Sequence, residues 1–233
     1  MGWLTDALRW LADGAHWRGA DGVPARLVEH VGLSAAAVGV GLLVAVPLGL
    51  WLGHVRRGGA FAVATGNLAR AVPTFAVLVL LALAPAPFGL STVSTLTALV
   101  LFAVPPMLTN TYVGVVEVDP AVVDAARGTG LSGWQVLRRV ELPLAVPLLM
   151  NGVRLAAVQV VATATIAALV AGGGLGRIIV EGFGRQDQAQ LVAGALLVLA
   201  LALLVEGAME LVQRRADPVR RAGGRLRVRS GSS

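Results

Sequence analysis

The stretch AVPTFAVLVLLALAPAPFGLSTVSTLTALVLFAVPPMLTNTYVGVV, running from Ala71 to Val116, contains no charged residue. A bilayer core takes about 20 apolar residues per crossing helix, so this segment is long enough for two. The rest of the chain has the same character: of 233 residues, 56% are hydrophobic and 14% charged, with a mean hydropathy of +0.77. That is too apolar for an ordinary soluble domain. Hydropathy predicts five spans: Val31 to Gly53, Leu68 to Phe88, Thr92 to Val115, Leu144 to Gly173 and Ala189 to Val212. Pro47, Pro73 and Pro147 lie inside them. Neighbouring chains and water can satisfy the carbonyls a proline frees within a bundle, so kinks are expected at these points. The expected fold is an all-α polytopic membrane domain.

The net charge of +6 raises nucleic acid as a partner, but the placement of the 19 basic residues, all arginine, speaks against it. Seven follow Val212 (Arg214, Arg215, Arg220, Arg221, Arg225, Arg227 and Arg229) with no aromatic residue between them to stack on a base. Residues 213–233 are therefore expected to form a disordered basic cytoplasmic tail. Without lysine the chain has neither a P-loop nor a Schiff-base amine, and without cysteine it has no disulfide, thiolate or zinc knuckle. His16, His30 and His54 are too scattered for a metal site and read as solvated or interfacial. No catalytic residue, metal or cofactor is expected in this chain.

Arginine also sets the orientation. His54, Arg56, Arg57 and Arg70 follow the first span, Arg127, Arg138 and Arg139 follow the third, and the tail follows the fifth, so these segments are expected to be cytoplasmic. The other side receives the uncharged turn from Pro85 to Ser91 and the balanced set Arg177, Glu181, Arg185 and Asp187, which puts the N-terminus outside. Asp6 and Asp13 interrupt any apolar leader, so no secretory signal is expected. Trp3, Trp10 and Trp17 recur every seven residues, which predicts a helix lying in the membrane interface within segment 1–26, although Gly14 and Gly19 weaken it beyond the first turns. Gly39, Gly41, Gly49 and Gly53 in the first span permit close helix contact.

The loop at 119–143 is too structured for a plain connector. Asp119 suits an N-cap and Pro120 a first helical position, so a helix should start there and stop at Gly128-Thr129-Gly130. Ser132 can cap a second helix running to Leu142-Pro143 at the foot of the fourth span.

At this loop the chain resembles the permease subunits of binding-protein-dependent ABC importers. They share a loop of the form Glu-Ala-Ala, three residues, Gly, nine residues, Ile-x-Leu-Pro; here Asp124-Ala125-Ala126, Gly130 and Val140-Glu141-Leu142-Pro143 take those places. Asp replaces Glu and Val replaces Ile. The resemblance implies a type I (MetI-like) transmembrane domain over 27–212, in the bacterial inner membrane. It also implies that the loop is a coupling helix docking on a separate ATPase, which binds the ATP and Mg. Asp124, Ala125, Ala126, Gly130, Leu142 and Pro143 become the coupling residues, with Trp134, Arg138 and Leu142 packing against the permease itself. Further partners implied are an extracytoplasmic substrate-binding protein and a second permease copy or a paralogue.

The stretches at Arg70 to Phe75, Thr109 to Gly114 and Ala162 to Gly176 resemble osmoprotectant permeases, which import glycine betaine, carnitine or choline. A methionine-type amino-acid permease shares the loop and remains an alternative; a carrier or channel outside the ABC class explains the spans but not the loop. An amide or hydroxyl within a span needs a partner or a water-filled cavity, which makes Asn110, Gln159, Thr163 and Thr165, with the aromatic Tyr112 and Phe75, candidates for the substrate pathway. Interhelical hydrogen bonding is the competing use of the same groups.

Overall fold

A computed structural model describes residues 2–170 and 172–216, and every regular element among them is helical. In chain order these are α1 (Gly2–Ala12), α2 (Val23–His54), α3 (Gly59–Ala71), α4 (Thr74–Leu83), α5 (Thr92–Val116), α6 (Pro120–Gly128), α7 (Gly133–Val136), α8 (Leu142–Ala167), α9 (Gly176–Gly184) and α10 (Gln188–Ala216). Four are long and apolar enough to cross a membrane: α2, α5, α8 with the turns leading into it, and α10. Of the basic tail, Arg214 and Arg215 close the last turn of α10; the rest, from 217 on, lies outside the described residues.

The segment expected as the second span is divided. Helix α3 ends at Ala71, Pro73 precedes the first residue of α4 in extended conformation, and α4 is ten residues long. Ten residues rise about 15 Å, half the bilayer core. The proline ring disfavours helical angles at the residue before it, so a break rather than a kink forms at Val72. The fourth predicted span is also shorter than expected, because α8 stops at Ala167 ahead of the glycines at 172–174.

The chain clusters into two compact units. One is formed by residues up to Val40 with Arg70–Ala103 and Ala157–Glu206. Its main core is Val23, Val161, Leu175, Ile178 and Leu201, against which Trp10 of α1 packs. A second cluster joins Leu78 of α4, Ala98 of α5 and Ala167 of α8. Helix α1 halts at Ala12, where Asp13 accepts a hydrogen bond from the Ala15 N–H at 2.9 Å and starts a 3-10 turn over Gly14–Trp17. That turn folds back: His16 stacks on Trp10 with ring centroids 3.9 Å apart, and Trp17 donates Nε1–H to the Leu11 carbonyl. Trp3, Leu4 and Leu8 stay exposed, so the three tryptophans expected on one helical face are split: Trp10 packs on the core and Trp17 lies beyond the helix.

The other unit is formed, among the described residues, by Gly41–Ala69, Val104–Ala156 and residues 207–216. Here α2 and α5 approach closely. A Cβ at Gly49 would stand 2.8 Å from Thr111 Cβ, and one at Gly53 would stand 2.7 Å from Val115 Cβ. Two of the four glycines read as packing positions thus do that work, whereas Gly39 faces open space.

Candidate functional site

The 119–143 loop folds around its own small core. Val118, Val123 and Val136 are buried together, with Ala126 and Leu131 against them. Asp119 accepts from the Ala121 N–H at 2.8 Å and Pro120 opens α6, as their residue types require. With Val123 and Ala126 turned inward, the same helix presents Val122, Asp124 and Ala125 outward. Asp124 and Arg127 pair at 3.8 Å on this open face, where such a pair is worth little.

Three carbonyls at the end of α6 are taken up locally. The Thr129 N–H donates to Ala125 O and its hydroxyl to Ala126 O, while the Gly130 N–H donates to Arg127 O. Gly130 has φ +88, a conformation in which a side chain is strained, and a Cβ there would touch nothing. Ser132 and Gln135 then form a reciprocal capping box: the Ser132 N–H donates to Gln135 Oε1 at 2.8 Å and the Gln135 N–H to Ser132 Oγ.

The second loop helix does not stop at Leu142-Pro143. It passes through a π turn, Leu137–Glu141, directly into α8. Pro143 has no N–H for the carbonyl of Arg139, and the ladder here slips by one residue, the Leu142 N–H reaching Leu137 O. Leu142 and Pro143 are half-buried at this junction. Trp134 and Arg138, expected to pack on the permease, are exposed, Trp134 by 67%. Val136, Leu137 and Glu141 are the buried members of the segment, because they lie on the inner side of this helix.

Glu141 is the residue sequence reasoning missed. Its side chain is 1% exposed, and His54 at the end of α2 donates Nδ1–H to its Oε2 at 2.5 Å. His30, also read as solvated or interfacial, is buried and donates Nε2–H to the Val161 carbonyl at 3.0 Å. All three histidines are engaged with protein groups, and among the described residues no cluster of three His, Asp or Glu could hold a metal.

The pathway candidates fall in both units. Asn110 and Tyr112 stand on α5. Asn110 donates Nδ2–H to Pro106 O at 2.8 Å and accepts from Asn151 Nδ2 of α8 at 3.1 Å, a partner the sequence did not single out. Tyr112 is half-buried, its hydroxyl 2.6 Å from where a Cβ on Gly59 would lie. In the other unit, Gln159 of α8 is exposed, Thr163 is buried, Thr165 is half-buried with its hydroxyl enclosed, and Phe75 of α4 is 48% exposed. That unit has a cleft of about 320 Å³ lined by Arg26, Glu29, Thr92, Thr95, Gly173 and Arg177. None of the six candidates lines it.

Residues 45–218 match the family model described as binding-protein-dependent transport system inner membrane component. The chain is 33% identical over 190 residues to the glycine betaine/carnitine/choline transport system permease protein OpuCB of Bacillus subtilis (strain 168), covering 82% of this chain and 86% of that one. It is 35% identical over 191 residues to the carnitine transport permease protein OpuCB of Listeria monocytogenes, with the same coverage. Among solved structures, an inward-facing form of the MetNI methionine ABC transporter superposes with a TM-score of 0.72 at 21% identity, covering 83% of this chain and 96% of that one, a likeness of fold. The chain belongs to the binding-protein-dependent transport system inner membrane components, and is accordingly a non-catalytic, multi-pass inner-membrane permease subunit of an ABC importer, whose ATPase is a separate chain.

Proposed function

We propose that this permease imports a quaternary-amine osmoprotectant such as glycine betaine, carnitine or choline, and that the 119–143 loop receives the force of ATP hydrolysis. The observation that carries the coupling role is the outward face of α6. Small Ala125 and acidic Asp124 stand clear of the loop's own core, and Gly130 fixes the turn beside them, as a helix inserting into a groove on another protein requires. The chain then sits with its N-terminus outside and its C-terminus in the cytoplasm. It pairs with a second copy or a paralogue, takes substrate from an extracytoplasmic binding protein, and leaves ATP and Mg to the ATPase.

The passage is assigned to polar groups of α5 and α8. Gln159 is the strongest member, because an exposed amide in a spanning helix is costly unless it meets water or a partner subunit. Thr163 and Thr165 follow it on α8, and Asn110 and Tyr112 of α5 and Phe75 of α4 are the remaining candidates. The substrate class is supported by the printed functions of the relatives that cover most of the chain; the methionine reading has the fold likeness alone. Reconstitution with the ATPase and binding protein, followed by ATP-driven uptake of labelled glycine betaine, carnitine, choline and methionine, tests this. Uptake of methionine alone would overturn the substrate assignment.

A further inference from the structure

We infer that the C-terminal end of α2 is a two-point latch, in which His54 and Arg56 bind the exit and the entrance of the 119–143 loop and so compel α2 to follow the loop when it moves. The inference rests on that loop being the ATPase-docking element.

At the exit, His54 holds Glu141 within the π turn. At the entrance, Arg56 donates Nη1–H to the Val116 carbonyl at 2.6 Å and Nη2–H to the Val118 carbonyl at 3.4 Å. Arg56 reaches both from a left-handed backbone conformation, φ 52, rare for a residue with a side chain. His54, the last residue of α2, and Arg56, two residues past it, thus hold Glu141 at the exit of the loop and the two carbonyls just ahead of its entrance, 60 to 87 residues downstream. All these residues belong to one compact unit.

The chemistry of the exit contact argues against simple packing. A buried carboxylate is costly unless paired, and an apolar residue would fill the same space at no such cost. The other oxygen of Glu141 has no partner among the described residues, so His54 is what holds it. Gly133, at the start of α7, leaves room on the other side of the ring: a Cβ there would lie 3.3 Å from His54 Nε2. A loop that shifted without α2 would strip a buried charge of its donor. The π turn in which Glu141 sits is a kind of helix irregularity that recurs at functional sites.

The test uses the full complex of permease, ATPase and binding protein in liposomes, reading solute uptake per ATP hydrolysed. His54→Asn keeps a donor near Nδ1 and should hold the wild-type ratio. His54→Leu combined with Glu141→Leu removes both partners, leaves no unpaired charge and should insert normally with the ATPase bound, yet lower the ratio by about fivefold or more. A double variant with the wild-type ratio would overturn the latch. If it fails to insert, His54→Asn against His54→Gln decides, because glutamine places its donor toward Gly133 instead; equal ratios would overturn the latch. Ala125→Trp separates the two readings: if it releases the ATPase while the double variant keeps its ratio, the loop docks and the latch fails, and if the ATPase stays bound and uptake is normal, the docking reading itself fails.

Discussion

Glu29 of α2 sets its carboxylate 2.8 Å from the backbone N–H of Gly174, a contact that closes 145 residues of chain. Arg26, one helical turn earlier, donates Nη1–H to the same carboxylate oxygen at 3.0 Å. The contact exists because Gly173 has no side chain: a Cβ there would fall 1.7 Å from Glu29 Oε1.

Gly173→Ala is therefore expected to force Glu29 off the loop and lower stability by about 1–3 kcal/mol, the range for overpacking a fitted site. Thermal unfolding of the detergent-solubilised chain measures it. Gly173→Ala in a Glu29→Ala background should cost much less, since the colliding carboxylate is gone.

The cysteine-free chain lends itself to a topology test with single introduced cysteines and a membrane-impermeant thiol reagent. Positions 57, 138 and 221 are expected to react from the cytoplasm and position 185 from outside. Labelling of position 185 from the cytoplasm alone would require the orientation to be redrawn.

Gly130→Val introduces a side chain where the backbone is left-handed and the space is open. The cost is conformational, about 1–2 kcal/mol, and local to the end of α6. The variant should insert at near-normal abundance and lose uptake together with membrane-bound ATPase, as should Ala125→Trp on the exposed face. Leu90→Ser, in the exposed turn after α4, is the control and should transport normally.

Asn110 and Asn151 should behave as a pair. In a double-mutant cycle with alanine, their coupling is expected at about 0.5–1.5 kcal/mol, the scale of interhelical hydrogen bonds in membranes. Coupling of zero would mean that the two amides act separately. A rise in KM for Gln159→Ala without loss of thermal stability would in turn place that residue on the passage.

Much of the fold and of the 119–143 loop was legible because the signals are local. Asp119-Pro120, Gly130 and Ser132 each act on backbone within three residues, and each stands where residue chemistry puts it. The apolar runs likewise located α2, α5, α8 and α10. Hydropathy could not see that Pro73 ends one helix and begins another, since the residues on both sides are equally apolar. Nor does it carry long-range pairing. Glu141 occupies the variable position of its motif, and only the folded chain brings His54, 87 residues earlier, against it. The family resemblance places Trp134 inward, but the helix phase set by Val136 and Leu137 turns it out.

The valine core beneath α6 has an evolutionary consequence. Val123 and Ala126 hold the helix to its own loop, while Asp124 and Ala125, their immediate neighbours, face the other way. Buried and exposed positions are thus interleaved on one short helix yet independent of each other. Under the docking role proposed above, substitutions at the outward positions change what the helix offers a partner while the inward ones keep the loop folded, so partner choice and loop stability can evolve separately.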